Sequence, residues 1–146
     1  MPLPLKKTFI DTNIFIYAAD ARDQKKQTTA RECIRFLAGE HLGVVSTQVL
    51  MEFTSAAVNK LGLSLRSAKR LLHFFNNFEV LRVDADLIST GIDTAILSEI
   101  SFWDGVILAA AAATRSQILL SEDLSDGQVV NGVEIFNPFA RGQLNK

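Results

Sequence analysis

The chain has 146 residues, 48% hydrophobic and 21% charged, with only 8 glycines and 3 prolines; this suits one domain spanning 1–146 with a real hydrophobic core and excludes a disordered or low-complexity chain. Its one cysteine, Cys33, cannot form an internal disulfide. A net charge of −1 excludes a uniformly basic nucleic-acid-binding surface, though not a local basic patch or charge supplied by a bound cation.

In chain order, Leu5 to Asp11 (LKKTFID) reads as a short strand ending at a turn, and TNIFIYAAD after it has the apolar spacing of a short helix. Gln24 to Leu37 sets Ala30, Cys33, Ile34 and Leu37 at helical spacing, leaves Lys25, Lys26, Arg31 and Arg35 for a polar face, and ends at Gly39. GVVS (Gly43 to Ser46) is a short apolar strand; Thr47 is the expected N-cap of the helix QVLMEFTSAAVNKL, which closes at Gly62. Ser64 caps a helix LRSAKRLLHFFNNF, and EVLRV (Glu79 to Val83) is strand-like. ADLISTGIDTAILSEI is helical, and Ser101 opens an alanine-rich helix running through Thr114. QILLS (Gln117 to Ser121) is a strand, DLSDGQVVNG a polar loop, and VEIFN (Val133 to Asn137) an edge strand. Such alternation predicts an α/β fold, helices sandwiching a mainly parallel sheet, because parallel neighbours need helical crossovers. The N-terminus shows neither a charged-then-apolar leader nor a long uncharged span, so the expectation is a cytoplasmic protein with no membrane partner.

In parallel sheets ligands gather at the carboxyl ends of the strands, and four acids fall near such ends or at helix starts beside them: Asp11, Glu52, Asp104 and Asp123. Each has an ordinary reading as well. Asp11 could form an Asx-turn or a helix cap, Asp104 could close a capping box with Ser101 in SFWD, and Asp123 lies in a turn-rich loop. Glu52, between Met51 and Phe53, needs exposure or a partner, since a buried unpaired carboxylate is costly. If the four converge, they require a compensating cation, and oxygen-only ligands suit a hard divalent ion such as Mg²⁺ or Mn²⁺. His41, His73 and Cys33 read as ordinary structural residues, and Phe102 and Trp103 as helix-start packing rather than as base-stacking groups. Arg66, Lys69 and Arg70 fall on one helical face, and Lys6, Lys7, Lys25 and Lys26 could add to a basic groove.

The ordered set FIDTNIFIY, STQVLMEF, SFWDGVILAAA, LLSEDLSDGQ and VEIFNPF resembles the PIN-domain family, especially the VapC-like toxin ribonucleases of bacterial toxin–antitoxin pairs, over nearly the whole chain. The resemblance implies a PIN-like three-layer α/β/α sandwich and a Mg²⁺- or Mn²⁺-dependent endoribonuclease, the toxin of a type II toxin–antitoxin system. It assigns the metal-binding and catalytic acids to Asp11, Glu52, Asp104 and Asp123, and assisting polar roles to Asn13 and Ser121. Glu122 and Asp126 compete with Asp123 for the last role. It also implies an RNA substrate contacted by Arg66, Lys69 and Arg70, a homodimer, and a cognate antitoxin that inserts into the active-site groove. Two rivals stand beside it: a Mg²⁺-dependent phosphatase or phosphotransferase of another α/β fold with Asp11 as nucleophile, in which Asn13 replaces the usual second aspartate, and a non-catalytic protein-binding module.

Overall fold

The computed structural model describes residues 3–140. In chain order it contains β1 (Thr8–Ile10), α1 (Thr12–Ala19), α2 (Gln24–Gly39), β2 (Gly43–Ser46), α3 (Thr47–Asn59), α4 (Leu65–Leu72), a 3₁₀ turn (His73–Asn77), β3 (Glu79–Leu81), α5 (Ala85–Ser98), α6 (Phe102–Ala113), β4 (Ile118–Leu120), β5 (Val129–Val130) and β6 (Val133–Phe136). The strands form one six-stranded sheet in the order β3-β2-β1-β4-β6-β5, parallel except for β5. Every residue of β1, β2 and β4 is buried, so alternate side chains are covered on both faces, as a three-layer α/β/α fold requires. Among the described residues no single helix is long and apolar enough to cross a membrane.

The strand order reverses at β1. The chain runs outward from β1 to β2 and β3, then returns to lay β4 on the other side of β1, with Ile10 opposite Leu120. This makes the crevice beyond the carboxyl ends of β1 and β4 the topological switch point of the sheet.

Several expected boundaries move. The N-cap of α3 is Ser46 and not Thr47, whose hydroxyl instead accepts a bond from the Val83 amide at 3.1 Å. The expected single helix from Leu65 to Phe78 breaks at Leu72 into the 3₁₀ turn. That tighter winding sets Phe75 and Phe78 three residues apart on one side, where both rings meet Phe15, at 4.6 and 5.8 Å. The segment Val133–Phe136 is not an edge strand: it pairs with β4 on one side and with β5, formed within the expected polar loop, on the other.

Helix α6 is buried from Gly105 to Ala111 and packs on α5 through two facing glycines. A Cβ at Gly105 would lie 2.3 Å from the Gly91 carbonyl oxygen, and one at Gly91 would lie 2.8 Å from the Val106 Cα. The backbones touch, and no side chain can yield. Alanine inside a helix ordinarily stabilises relative to glycine, by roughly 0.5–1 kcal/mol. Gly105→Ala should do the reverse, destabilising by about 1–3 kcal/mol as the helices are forced apart. Urea unfolding of the two proteins measures this, and an unchanged or raised midpoint would contradict the close approach.

Candidate active site

Asp11 leaves the end of β1 as the N-cap of α1, with Oδ1 accepting the Thr12 amide at 2.7 Å and Oδ2 accepting the Ser121 hydroxyl at 2.7 Å. The residue is only 4% exposed. Burial raises its pKa from 3.8 to about 7; the Ser121 and Thr12 bonds oppose that shift, and the charges of Asp123 and Asp104 add to it. The capping reading of Asp11 is therefore correct but incomplete, because this cap faces two other carboxylates.

Asp104 reaches the same crevice from the first turn of α6, whose N-cap Ser101 accepts the Asp104 amide at 3.1 Å. Burial pushes its carboxyl up, a bond with the Ser101 side chain pulls it down, and the charges of Asp123 and Glu52 push it up again. Asp123 is carried by the turn after β4, its amide bonded to Ser121 Oγ at 3.1 Å. Ligand oxygens of Asp11, Asp104 and Asp123 lie within 4.8 Å of one another. Glu52 is outside that group. It lines the same cavity of about 300 Å³ but is held on α3, where Oε1 accepts the Thr12 hydroxyl at 2.7 Å and Oε2 accepts Gln48 Nε2 at 3.2 Å.

Asn13 and Ser121 knit the crevice together. Asn13 Nδ2 approaches Ser121 Oγ at 3.4 Å, and Asn13 Oδ1 accepts the Glu122 amide at 3.3 Å, tying the turn that bears Asp123 to the start of α1. The two acids that compete with Asp123 point elsewhere. Glu122 accepts the Tyr17 hydroxyl at 2.6 Å and pairs with Lys26, whose ammonium also lies 4.6 Å from the Tyr17 ring centroid. Asp126 Oδ1 accepts the Asn137 amide at 2.9 Å, pinning the loop to the end of β6.

Thr12, Gln48 and Tyr17 were not among the residues singled out from the sequence. Gln48 had a readable signal, since it lies one helical turn before Glu52 on the same face. It is 4% exposed, and its Nε2 also donates to the Trp103 carbonyl at 3.2 Å, joining α3 to the start of α6.

The basic residues divide. Arg66, Lys69 and Arg70 are exposed on α4 and do not line the cavity. Lys26 is committed to Glu122, and Lys7 bonds Glu79 and the Thr114 carbonyl at the opposite, amino-terminal edge of the sheet, so neither adds to a groove at the acids. The packing reading of the helix-start aromatics fails: Trp103 is 60% exposed and Phe102 38%. His41 and His73 are exposed and belong to no acidic group. Cys33 lies in the core, where burial lifts its thiol to about 12.

Oxygen donors this close, one of them deeply buried, match a hard divalent cation in chemistry and spacing. Without a cation the acids oppose folding. A carboxyl raised from 3.8 to about 7 binds its proton more tightly in the native than in the unfolded chain. Stability should accordingly fall as pH rises between roughly 4 and 7 and level off above that, by a few kcal/mol at about 1.4 per pH unit. Thermal melts in EDTA across this range should show the fall in the wild type and a flatter profile in Asp11→Asn. Equal slopes would show that Asp11 does not titrate there.

A family model described as PIN domain matches residues 8–125. Among solved structures, a toxin–antitoxin complex from Klebsiella pneumoniae is 20% identical, with 90% of this chain and 97% of that chain covered and a TM-score of 0.68. VapC20 of Mycobacterium tuberculosis, described as a sarcin–ricin-loop-cleaving toxin, is 21% identical over 80% and 89% of the two chains, with a TM-score of 0.64. A DNA-bound VapBC from Salmonella typhimurium is 20% identical over 89% and 96%, also at 0.64. No curated protein sequence matches. The structural likenesses establish the shared fold, and the family model, which spans most of the sheet and all of the acidic crevice, establishes descent: the chain belongs to the PIN-domain family of nucleases.

Proposed function

We propose that this chain, as a single domain over 1–146, is a Mg²⁺- or Mn²⁺-dependent endoribonuclease and the toxin of a type II toxin–antitoxin pair. The observation that carries the reading is the group of three carboxylates within 4.8 Å at the switch point of a PIN-family fold. Family membership also removes the rival phosphatase of another fold.

Asp11, Asp104 and Asp123 would hold the cation, with Glu52 at its margin. The ion supplies Lewis acidity, making water a stronger nucleophile at neutral pH and offsetting charge on the phosphoryl oxygens and leaving alkoxide. The chain supplies position. Thr12 and Ser121 fix both oxygens of Asp11, while Ser121 and Asn13 fix the turn of Asp123. Glu52, oriented by Thr12 and Gln48, borders the cavity where its remaining lone pairs can accept a hydrogen bond from the attacking water. Glu122 acts through Tyr17 and Lys26 as a brace for the turn and not as a ligand. Arg66, Lys69 and Arg70 would meet RNA phosphates beyond the cavity.

The same reading gives two protein partners: a cognate antitoxin, supported by neighbours that are themselves toxin–antitoxin complexes, and a second copy of the chain. Ile88, Ile92 and Ile96 form an exposed apolar stripe one turn apart on α5, which supports the homodimer. The cytoplasm is the compartment this reading implies, because its RNA substrate is there.

Three isosteric variants test the ligand set. RNA cleavage in Mg²⁺ should stop on adding EDTA. Asp104→Asn keeps the helix cap but removes a charge from the site, so it should lose at least 100-fold in cleavage and most of its Mg²⁺ affinity, as should Asp123→Asn. Glu122→Gln, which can still accept the Tyr17 hydroxyl, should lose only a few-fold. Full cleavage by Asp104→Asn, or full cleavage in EDTA, would overturn the metal reading, and collapse in Glu122→Gln alone would move the last ligand to Glu122. Separately, Lys69→Ala with Arg70→Ala should lower the slope of log affinity against log salt by about 0.7 per lost phosphate contact on single-stranded RNA. An unaltered slope would return α4 to a solvated face.

A further inference from the structure

The cavity that holds the acids has two kinds of wall. Part of the lining is carboxylate, and among the described residues no lysine or arginine lines it. Another part is apolar: Ile16, Ile107 and Trp103. Trp103 is the immediate neighbour of Asp104, yet 60% of it is open to solvent. An indole on the first turn of an otherwise buried helix could have packed inward, and its exposure leaves a large apolar face in water. Its location is nonetheless well determined. The Trp103 carbonyl accepts Gln48 Nε2 at 3.2 Å, and the ring meets Phe102 in a T-shaped contact with centroids 4.9 Å apart. The residue is thus exposed, with its backbone tied to α3, and is next to a proposed cation ligand.

Resting on the nuclease reading, we propose that Trp103 is the stacking platform for the base adjoining the phosphate held at Asp104, and so a positioning residue for the substrate. A phosphate brought to the cation carries its flanking nucleotides along the cavity, whose lining among the described residues offers no cation to a second phosphate but does include an exposed aromatic residue. Stacking on an aromatic ring tolerates any base, because every base has a π-face, but it requires that the base be free of its own helix. In a duplex the bases stay stacked on one another, and Trp103 has nothing to receive.

Trp103 is the only tryptophan of the chain, so its emission reports this position alone. The experiment is stopped-flow fluorescence of the full chain in Mg²⁺ against three probes: a single-stranded RNA 12-mer, the same sequence annealed as a duplex, and inorganic phosphate. It is joined to steady-state cleavage by wild type, Trp103→Phe and Trp103→Leu. The single strand should quench the emission before cleavage proceeds, while the duplex and phosphate should not. Trp103→Leu should raise KM for the single strand about ten-fold or more, as expected for one lost base stack. Trp103→Phe should restore most of that loss, with Mg²⁺ affinity unchanged in both. A wild type that cleaves the single strand without quenching, together with a Leu variant of normal KM, would overturn the stacking proposal while leaving the nuclease reading intact. Quenching by the single strand without any cleavage would uphold the stacking and defeat the nuclease reading. An emission shift that follows protein concentration and not RNA would show the ring covered by a second copy, and would overturn the proposal in favour of a protein contact.

Discussion

Much of this structure turns on the burial of one carboxylate, Asp11, between the ends of two parallel strands. Its oxygens receive one amide and one hydroxyl hydrogen bond, both at 2.7 Å, yet desolvation outweighs them and its pKa still rises to about 7. Two good hydrogen bonds are thus insufficient to hold the charge, and the neighbours make matters worse, since Asp104 and Asp123 are also acids. A folded chain keeps such an arrangement only if the cluster is neutralised in the working state, by protons or by a cation. Ser121 shows how narrowly the geometry is drawn: its one hydroxyl bonds Asp11 while its oxygen accepts the amide of Asp123, so the same atom sets two of the three acids.

The third acid is held differently. Asp11 and Asp123 follow strand ends and inherit their positions from sheet register, but Asp104 stands on a helix, where a shift along or away from the sheet would carry it out of reach. The direct backbone contact of Gly91 with Gly105 limits such a shift, and Gln48 fastens the first turn of α6 to α3 from the other side. Gln48 thereby links Glu52 and the start of the helix bearing Asp104 through one amide. Its own Oε1 has no protein partner among the described residues, so the orientation of the amide is decided by its two acceptors.

The alternation of strand and helix was legible in the sequence because each crossover carries its own apolar period, and so was the meeting of four acids at one cavity, because two follow strand ends and two stand on helices. What escaped was whatever depended on partners distant in the chain. The 3₁₀ turn after Leu72 answers to Phe15, and the inner position of β6 depends on β5, two residues long and hidden in a polar loop. Local pattern equally could not separate Asp123 from Glu122: Tyr17 and Lys26, about a hundred residues earlier, engage Glu122, while Asp123 joins the other acids. Two of the lysines escaped for the same reason. Lys7 and Lys26 look free in sequence, whereas Glu79 and Glu122 engage them in the fold.

The charge distribution sets how a polyanion could approach. A cavity lined by four acids and, among the described residues, by no basic side chain repels a phosphate unless those acids are neutralised, so on the proposed reading cation binding and substrate binding are coupled in order as well as in energy. Arg66, Lys69 and Arg70 stand outside the cavity, exposed on α4, where on the same reading they would attract a strand from a distance without competing for the acids. Ile16, Ile107 and Trp103 add an uncharged part to the lining of the same cavity, which neither attracts nor repels a phosphate. The acids and the exposed cations of α4 therefore occupy separate surfaces, and a substitution on one can leave the other in place. A basic residue inside the cavity would instead pair with the nearest carboxylate and withdraw a ligand from the cation, which is a physical reason for the acids to stand without one.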